Sequence, residues 1–379
     1  MFKFSKSGFY LNVVFFSLVF LFVGNRLATW GSVDSPYNAY APDFVPAVVL
    51  EIVERTDEHH EVGPNFTITN TRILFTARIT RGELRGSEVT AEHSLTTHLL
   101  LNEKEVEPGD RVLLVYSEFN SQYFFANYIR INYVMILGGI FFALIVWFGR
   151  QKGFNAIVAL AFTCMAIFAV FIPAILAGHN IYAVAIVVCI YAILATLLMV
   201  VGPNKKALAS ILGCLGGVFL AGLMMLSMNA FLNMTGFIDQ ETQFLTMLEN
   251  PIDLRAIIFA GVIIGSVGAI MDVSMSISSS LWELRLAGGV SDFASIFESG
   301  INIGKDILGT MLNTLILAYI GSSLSLILLI SAHTTSFTEL FNAEMVIVEF
   351  LRALVGSFGM LLAIPLTAGI CGWLYSEST

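Results

Sequence analysis

An aspartate interrupts the apolar run from Ala260 to Ser280, and it is the residue of this chain with the clearest capacity for chemistry. A carboxylate at membrane depth is costly enough that it faces protein or water rather than lipid, and such groups mark ion or substrate pathways. Asp272 is followed by Ser274, Ser276, Ser278, Ser279 and Ser280, then by Glu283 and Arg285, a polar density foreign to a lipid-facing segment. If the helix continues through them, Asp272, Ser276, Ser279, Ser280 and Glu283 fall on one stripe at spacings of three and four residues. A carboxylate flanked by hydroxyls suits a proton or a small cation. Gly261, Gly265 and Gly268 precede it and permit close helix approach. Asn313 and Thr314 lie in the next apolar segment, and an asparagine there seeks a partner, so an Asp272 to Asn313 contact across two helices is expected. The alternative reading is structural: serines bonding their own helix carbonyls, Asp272 capping a helix break, and Asn313 acting as interhelical glue.

Other groups carry weaker signals. Glu349 and Arg352 are three residues apart on one helical face near the end of the last segment, where a local ion pair or snorkelling side chains suffice. Pro173 and Pro365 are expected to kink helices. Asp57-Glu58-His59-His60-Glu61 has side chains able to hold a metal, but consecutive residues rarely build a defined site, and an acidic solvated loop is expected. No metal site and no cofactor is expected, although a bound ion at Asp272 stays open. The chain has no P-loop, no nucleophile elbow and no basic aromatic surface for nucleic acid. No base and nucleophile pair suggests an enzyme.

The elements that must position these residues follow from composition. Hydrophobic residues make up 56% and charged residues 12% of the 379, about half the charge of a typical soluble chain, so lipid must solvate most of it. The lipid bilayer is therefore the first partner. The acidity is local: Ser32 to Ile129 contains 15 acidic and 7 basic residues and so carries −8 of the formal −9. The four cysteines all lie in apolar runs outside this block, which excludes a disulfide scaffold within it.

Phe9 to Val23 is an apolar run without a clean cleavage pattern, and it predicts an uncleaved first helix. Five β-rich runs follow, at Val45 to Val53, Thr67 to Thr80, Glu88 to Glu92, Arg111 to Tyr116 and Tyr123 to Ile129, separated by turn signals such as Pro108-Gly109-Asp110. They predict a small, OB-like barrel. Seven more apolar segments each approach or exceed the length needed to cross a bilayer: Ile131 to Phe148, Phe154 to Leu176, Ile181 to Val201, Leu208 to Leu232, Ala256 to Ser276, Ile307 to Ile330 and Met345 to Leu374. Between the fifth and sixth of these, Leu286 to Asp306 reads as an amphipathic interfacial or re-entrant helix. The expected fold is thus a polytopic α-helical membrane protein of about eight transmembrane helices, with an extracytoplasmic β-barrel inserted after the first. Its parts are 1–31, an N-terminal helix; 32–129, the β-rich domain; and 130–379, a seven-helix membrane domain. Lys3/Lys6, Arg150/Lys152, Lys205/Lys206 and Arg285/Lys305 fall at alternate loops, which predicts cytoplasmic termini and a β domain outside.

Two stretches, Gly265-Ser-Val-Gly-Ala-Ile-Met-Asp-Val-Ser-Met-Ser-Ile277 and Gly300-Ile-Asn-Ile-Gly-Lys-Asp-Ile-Leu-Gly-Thr-Met-Leu-Asn-Thr-Leu-Ile-Leu-Ala-Tyr-Ile-Gly321, resemble the YibE/F family of bacterial membrane proteins. The likeness extends from about Ile131 onward, and Lys305 before Asp306 keeps the family pattern. The β domain is similar to the leader region of longer members. The resemblance implies a multi-pass protein of the bacterial plasma membrane, with a second YibE/F-type protein or a homo-oligomer as candidate partner, and it assigns no activity to Asp272, Asn313 or Thr314. The residues themselves favour a permease or secondary transporter for a small solute or ion. The competing expectation is a cell-envelope interaction or assembly protein that binds its partner through the β domain.

Overall fold

The computed structural model describes residues 6–30, 43–63, 66–96, 104–238, 240–248, 250–289, 291–333 and 336–376. The chain divides into two compact units, one of residues 34–144 and one of residues 1–33 with 145–379.

The smaller unit is built on five strands, β1 (Phe44–Gly63), β2 (Phe66–Ile79), β3 (Glu88–Thr96), β4 (Arg111–Ser117) and β5 (Gln122–Tyr128). They close into a barrel in the order β1-β2-β3-β5-β4, antiparallel throughout except for β3 against β5. The period-two pattern of β2 explains the closure: Ile73, Phe75, Ala77 and Ile79 point inward while Arg72 and Arg78 face out. Val49, Ala91, Val112 and Leu114 complete the core. Gly109, with φ of +95°, turns the chain into β4 where a side chain would be strained, and its N–H donates to the Val49 carbonyl at 2.8 Å.

One expectation is overturned here. Asp57 to Glu61 is not a loop but the continuation of β1, with Asp57 opposite Thr71, His59 opposite Thr69 and Glu61 opposite Thr67. The run lacks apolar alternation, so only pairing with the threonine-rich β2 holds it extended.

The larger unit is helical, and the part of the helix Ile131–Ala166 before residue 145 belongs to the smaller one. After α1 (Lys6–Ala28) come α2 (Ile131–Ala166), a π-helical turn (Ile167–Phe171), α3 (Ile172–Leu176), α4 (Ile181–Val200), α5 (Lys205–Phe231), α6 (Gln240–Thr246), α7 (Leu254–Leu286), α8 (Phe293–Ser322), α9 (Leu324–His333), α10 (Phe337–Asn342) and α11 (Glu344–Ser376). Seven helices among the described residues are long and apolar enough to cross a membrane. One of them, the 46-residue stretch Ile131–Leu176, contains both segments expected there. Arg150 breaks it, with φ of 46° and ψ of −126°. A Cβ on Gly153 would strike the Ile145 carbonyl, a contact that a straight helix cannot make over eight residues, so the chain turns sharply at this point.

Pro173 explains another local feature. Without an N–H it cannot donate to the Ala169 carbonyl one turn earlier, and the Asn25 side chain of α1 donates to that oxygen instead, at 2.6 Å. The adjoining π turn and the stacking of Phe20 on Tyr191 seat α1 in the same cluster as α4.

The central helix is α7. Its N-terminus is capped by Asp253, which accepts from the Arg255 and Ala256 amides at 3.0 and 3.4 Å. Ile263, Val267, Ile270, Val273, Ile277 and Leu281 bury one face against α4, α5 and α11. Glycines let the neighbours approach: Gly217 of α5 lies against Ile270, Ala363 and the Gly359 carbonyl, and Gly304 of α8 lies against Ile364.

The amphipathic segment expected over 286–306 joins the next span as one helix from Phe293. Asp292 caps α8 by accepting from Ser295 N at 3.0 Å, and the helix then runs unbroken to Ser322. Ile296, Gly300 and Gly304 supply its buried face, so the charges at Lys305 and Asp306 sit on the open side without interrupting it.

Candidate functional site

Helix α7 is continuous through the serines, so its open face can be read directly. Gly261, Gly265, Gly268, Asp272, Ser276, Ser279 and Glu283 recur at intervals of four and three residues and form one stripe. All lie opposite the apolar face that packs into the core. The glycines, Asp272 and Glu283 are exposed on the chain, while Ser276, Ser279 and Ser280 are half-buried. At 1.5 Å per residue the stripe is about 33 Å long, close to the thickness of a bilayer's hydrocarbon core. Asp272 is its midpoint, eleven residues from Gly261 and eleven from Glu283.

Among the described residues Asp272 has no hydrogen bond or ion pair. Asn313 and Thr314 are exposed on the open side of α8. The hydrogen bond expected between Asp272 and Asn313 does not form; Thr314 donates to the Thr310 carbonyl of its own helix at 3.0 Å. The packed face of α8 carries Ile296, Gly300 and Gly304, which turns Asn313 away from α7. The two polar groups therefore belong to two open helix faces rather than to one closed pocket.

The two halves of the stripe have different neighbours. At one end Glu283 accepts from Lys206 of α5 at 2.7 Å. Toward the other, the Tyr319 hydroxyl of α8 lies 3.1 Å from where a Cβ on Gly265 would stand. In the same half of the bundle Arg352 donates to Glu349 within α11, and this pair is half-buried, with side chains 34% and 17% exposed. The second Glu349 carboxylate oxygen is buried without a partner among the described residues. Tyr319 was not visible as a site residue in the sequence, because only the antiparallel register of α7 and α8 brings it to Gly265.

The buried serines are different ones. Ser210, Ser274 and Ser278 are fully enclosed between α5, α7 and α11; Ser210 and Ser278 hydroxyls are 2.5 Å apart, and Tyr375 donates to the Ser278 carbonyl at 3.1 Å. Sequence order interleaves the two sets. Helical phase does, since Ser274 and Ser278 fall on the core side of α7 and Ser276 and Ser279 on the open side.

No cluster of three or more histidine, cysteine, aspartate or glutamate side chains able to hold a metal occurs among the described residues. A groove of about 700 Å³ runs beside α1, but Phe16, Val23, Val170 and their neighbours make it almost wholly apolar. What the stripe offers is a line of small and polar groups with one carboxylate at its middle, a group able to exchange a proton or pair with a cation. No curated protein and no solved structure matches the chain. A family model described as YibE/F-like protein matches residues 137–377, which contain the whole of this stripe, and the chain belongs to that family.

Proposed function

We propose that this membrane protein is a permease or secondary transporter for a small solute or ion, with α7 as one wall of its path. The observation that supports it is the two-faced character of α7: a packed apolar side, and opposite it an open stripe of glycine, serine and a central carboxylate. Lipid does not solvate a carboxylate, so this face meets water or protein in the membrane. Asp272 is then the coupling carboxylate, Ser276, Ser279 and Ser280 offer hydroxyl ligands, and Asn313 supplies a polar group on the neighbouring helix. Glycines keep the wall narrow and expose backbone at membrane depth, as transporter sites require. In this reading the chain sits in the plasma membrane with cytoplasmic termini and the β-barrel outside, the orientation that the loop lysines and arginines favour.

The test is uptake of protons, sodium, potassium and small anions by proteoliposomes containing the wild-type chain or Asp272→Asn. Wild-type uptake of one of these, lowered at least tenfold by the substitution, is expected. Equal uptake by both proteins, or none by either, refutes the reading.

A further inference from the structure

The barrel unit is acidic, yet its positive side chains are not spread evenly. Arg55 pairs with Asp57 and Glu105, Arg72 with Glu92, Arg78 with Glu88, and Lys104 with Asp110. Arg81, Arg111 and Arg130 have no carboxylate partner among the described residues, and these three line a single cleft of about 840 Å³. Among the described residues no aspartate or glutamate lines it. The elements converge there for topological reasons: Arg81 follows β2, Arg111 begins β4, and Arg130 follows β5, while β1 pairs with both β2 and β4 and β4 with β5.

Arg130 is held in place, its guanidinium donating to Asn127 at 2.7 Å and lying 5.4 Å over the Tyr128 ring. The first turn of α2, Ile131 and Asn132, closes the cleft. A helix N-terminus presents backbone N–H groups and the positive end of its dipole, which favours an anion.

We infer that this cleft binds a phosphate-bearing anion, either the headgroup of an anionic lipid or a free phosphate. Guanidinium groups match phosphate oxygens through paired N–H donors, and three of them without a carboxylate partner among the described residues leave most of that capacity open. The acidic remainder of the unit repels anions, which confines them to this one place. The cleft also lies at the first residue of an apolar membrane helix, the level at which lipid headgroups stand. The inference is independent of transport through the α7 stripe.

The full chain in neutral detergent is titrated with dihexanoyl phosphatidylglycerol, with inorganic phosphate and with dihexanoylglycerol, and binding is followed by thermophoresis. Saturable binding of the phospholipid or of phosphate is expected, weakened roughly tenfold by each of Arg81→Gln, Arg111→Gln and Arg130→Gln. Arg85→Gln, on the turn outside the cleft, should leave it unchanged. Binding of the phospholipid alone identifies a headgroup as the ligand, and binding of inorganic phosphate identifies the free anion as sufficient. Absence of saturable binding by both, equal binding by dihexanoylglycerol, or unchanged binding by the triple variant at unaltered melting temperature overturns the inference.

Discussion

Gly217 and Gly268 give opposite expectations for the same substitution, because one faces a neighbouring helix and the other faces the stripe. A methyl group on Gly217 would stand 2.8 Å from Ile270 Cγ2, 2.9 Å from Ala363 Cβ and 2.9 Å from the Gly359 carbonyl oxygen. Ile270 can rotate, but the other two atoms are fixed to the α11 backbone, so α5 and α11 must part. Overpacking of this kind costs about 1–3 kcal/mol. Replacing a helical glycine by alanine returns roughly 0.5–1 kcal/mol. Gly217→Ala should therefore destabilise by up to about 2.5 kcal/mol, lowering the melting temperature by as much as roughly 10 °C in a unit of this size. A methyl group on Gly268 meets nothing within 4 Å. Only the propensity gain remains, about 0.5–1 kcal/mol, with the melting temperature raised by roughly 1–4 °C. Circular dichroism of both variants in one detergent reads the difference. If Gly268→Ala lowers the melting temperature as far as Gly217→Ala does, the glycine face of α7 is packed and the argument for an open stripe fails. If Gly268→Ala is more stable and also transports more slowly, the glycine serves the path and not the fold.

The Asn25 bond to Ala169 predicts that Asn25→Leu leaves a half-buried carbonyl without that donor, at a cost of about 1 kcal/mol. Slower proteolysis or an unchanged melting temperature in that variant would show that α1 is held by its apolar contacts alone. In the barrel, burial raises the pKa of Glu92, but hydrogen bonds from Arg72, Ser94 and Gln122 and the Arg72 charge outweigh it and hold the carboxyl below its usual range. A depressed folded-state pKa contributes stability that is full above the unfolded value, near ~4.3, and is lost as pH falls through the folded one. Amide exchange in β3 of the intact chain should therefore accelerate on acidification below that value, and Arg72→Gln should flatten the response. Identical acid profiles for the two proteins would remove the pair from the account.

The stripe was legible in the sequence because helical phase is a local property. Spacings of three and four residues from Gly261 to Glu283 assign one face without knowledge of any neighbour. The five strands were legible from alternation, but the far half of β1 was not. Glu54 to Glu61 has no inward apolar series, and its extended form depends on β2 lying beside it. The charges of α8 misled for a related reason: Lys305 and Asp306 suggest a boundary in an apolar pattern, whereas the helix needs only Ile296, Gly300 and Gly304 on its packed side. The arginine cleft had no sequence signal at all. Its three residues are separated by 30 and 19 positions and meet only because β2, β1, β4 and β5 are successive neighbours in the barrel.

Glycine in a transmembrane bundle is ordinarily explained by close helix approach, and α5 follows that rule, since a Cβ at Gly213, Gly216 or Gly217 would collide with α11. Helix α7 departs from it. Gly261 and Gly268 have open space where a Cβ would stand, and Gly265 has only the tip of Tyr319. Each helical glycine forgoes about 1 kcal/mol relative to alanine, and nothing inside the chain offsets that on this face. Asp272 adds a second unrecovered cost on the same line, a carboxylate at the middle of the stripe with no partner among the described residues. Two independent penalties on one 33 Å stripe, about the thickness of the bilayer core, have a common cause if the face is used by something outside the fold. A water-filled path satisfies the carboxylate and tolerates the glycines. A lipid contact satisfies neither, which is why the open face of α7, rather than any enclosed cavity, is where function is to be sought.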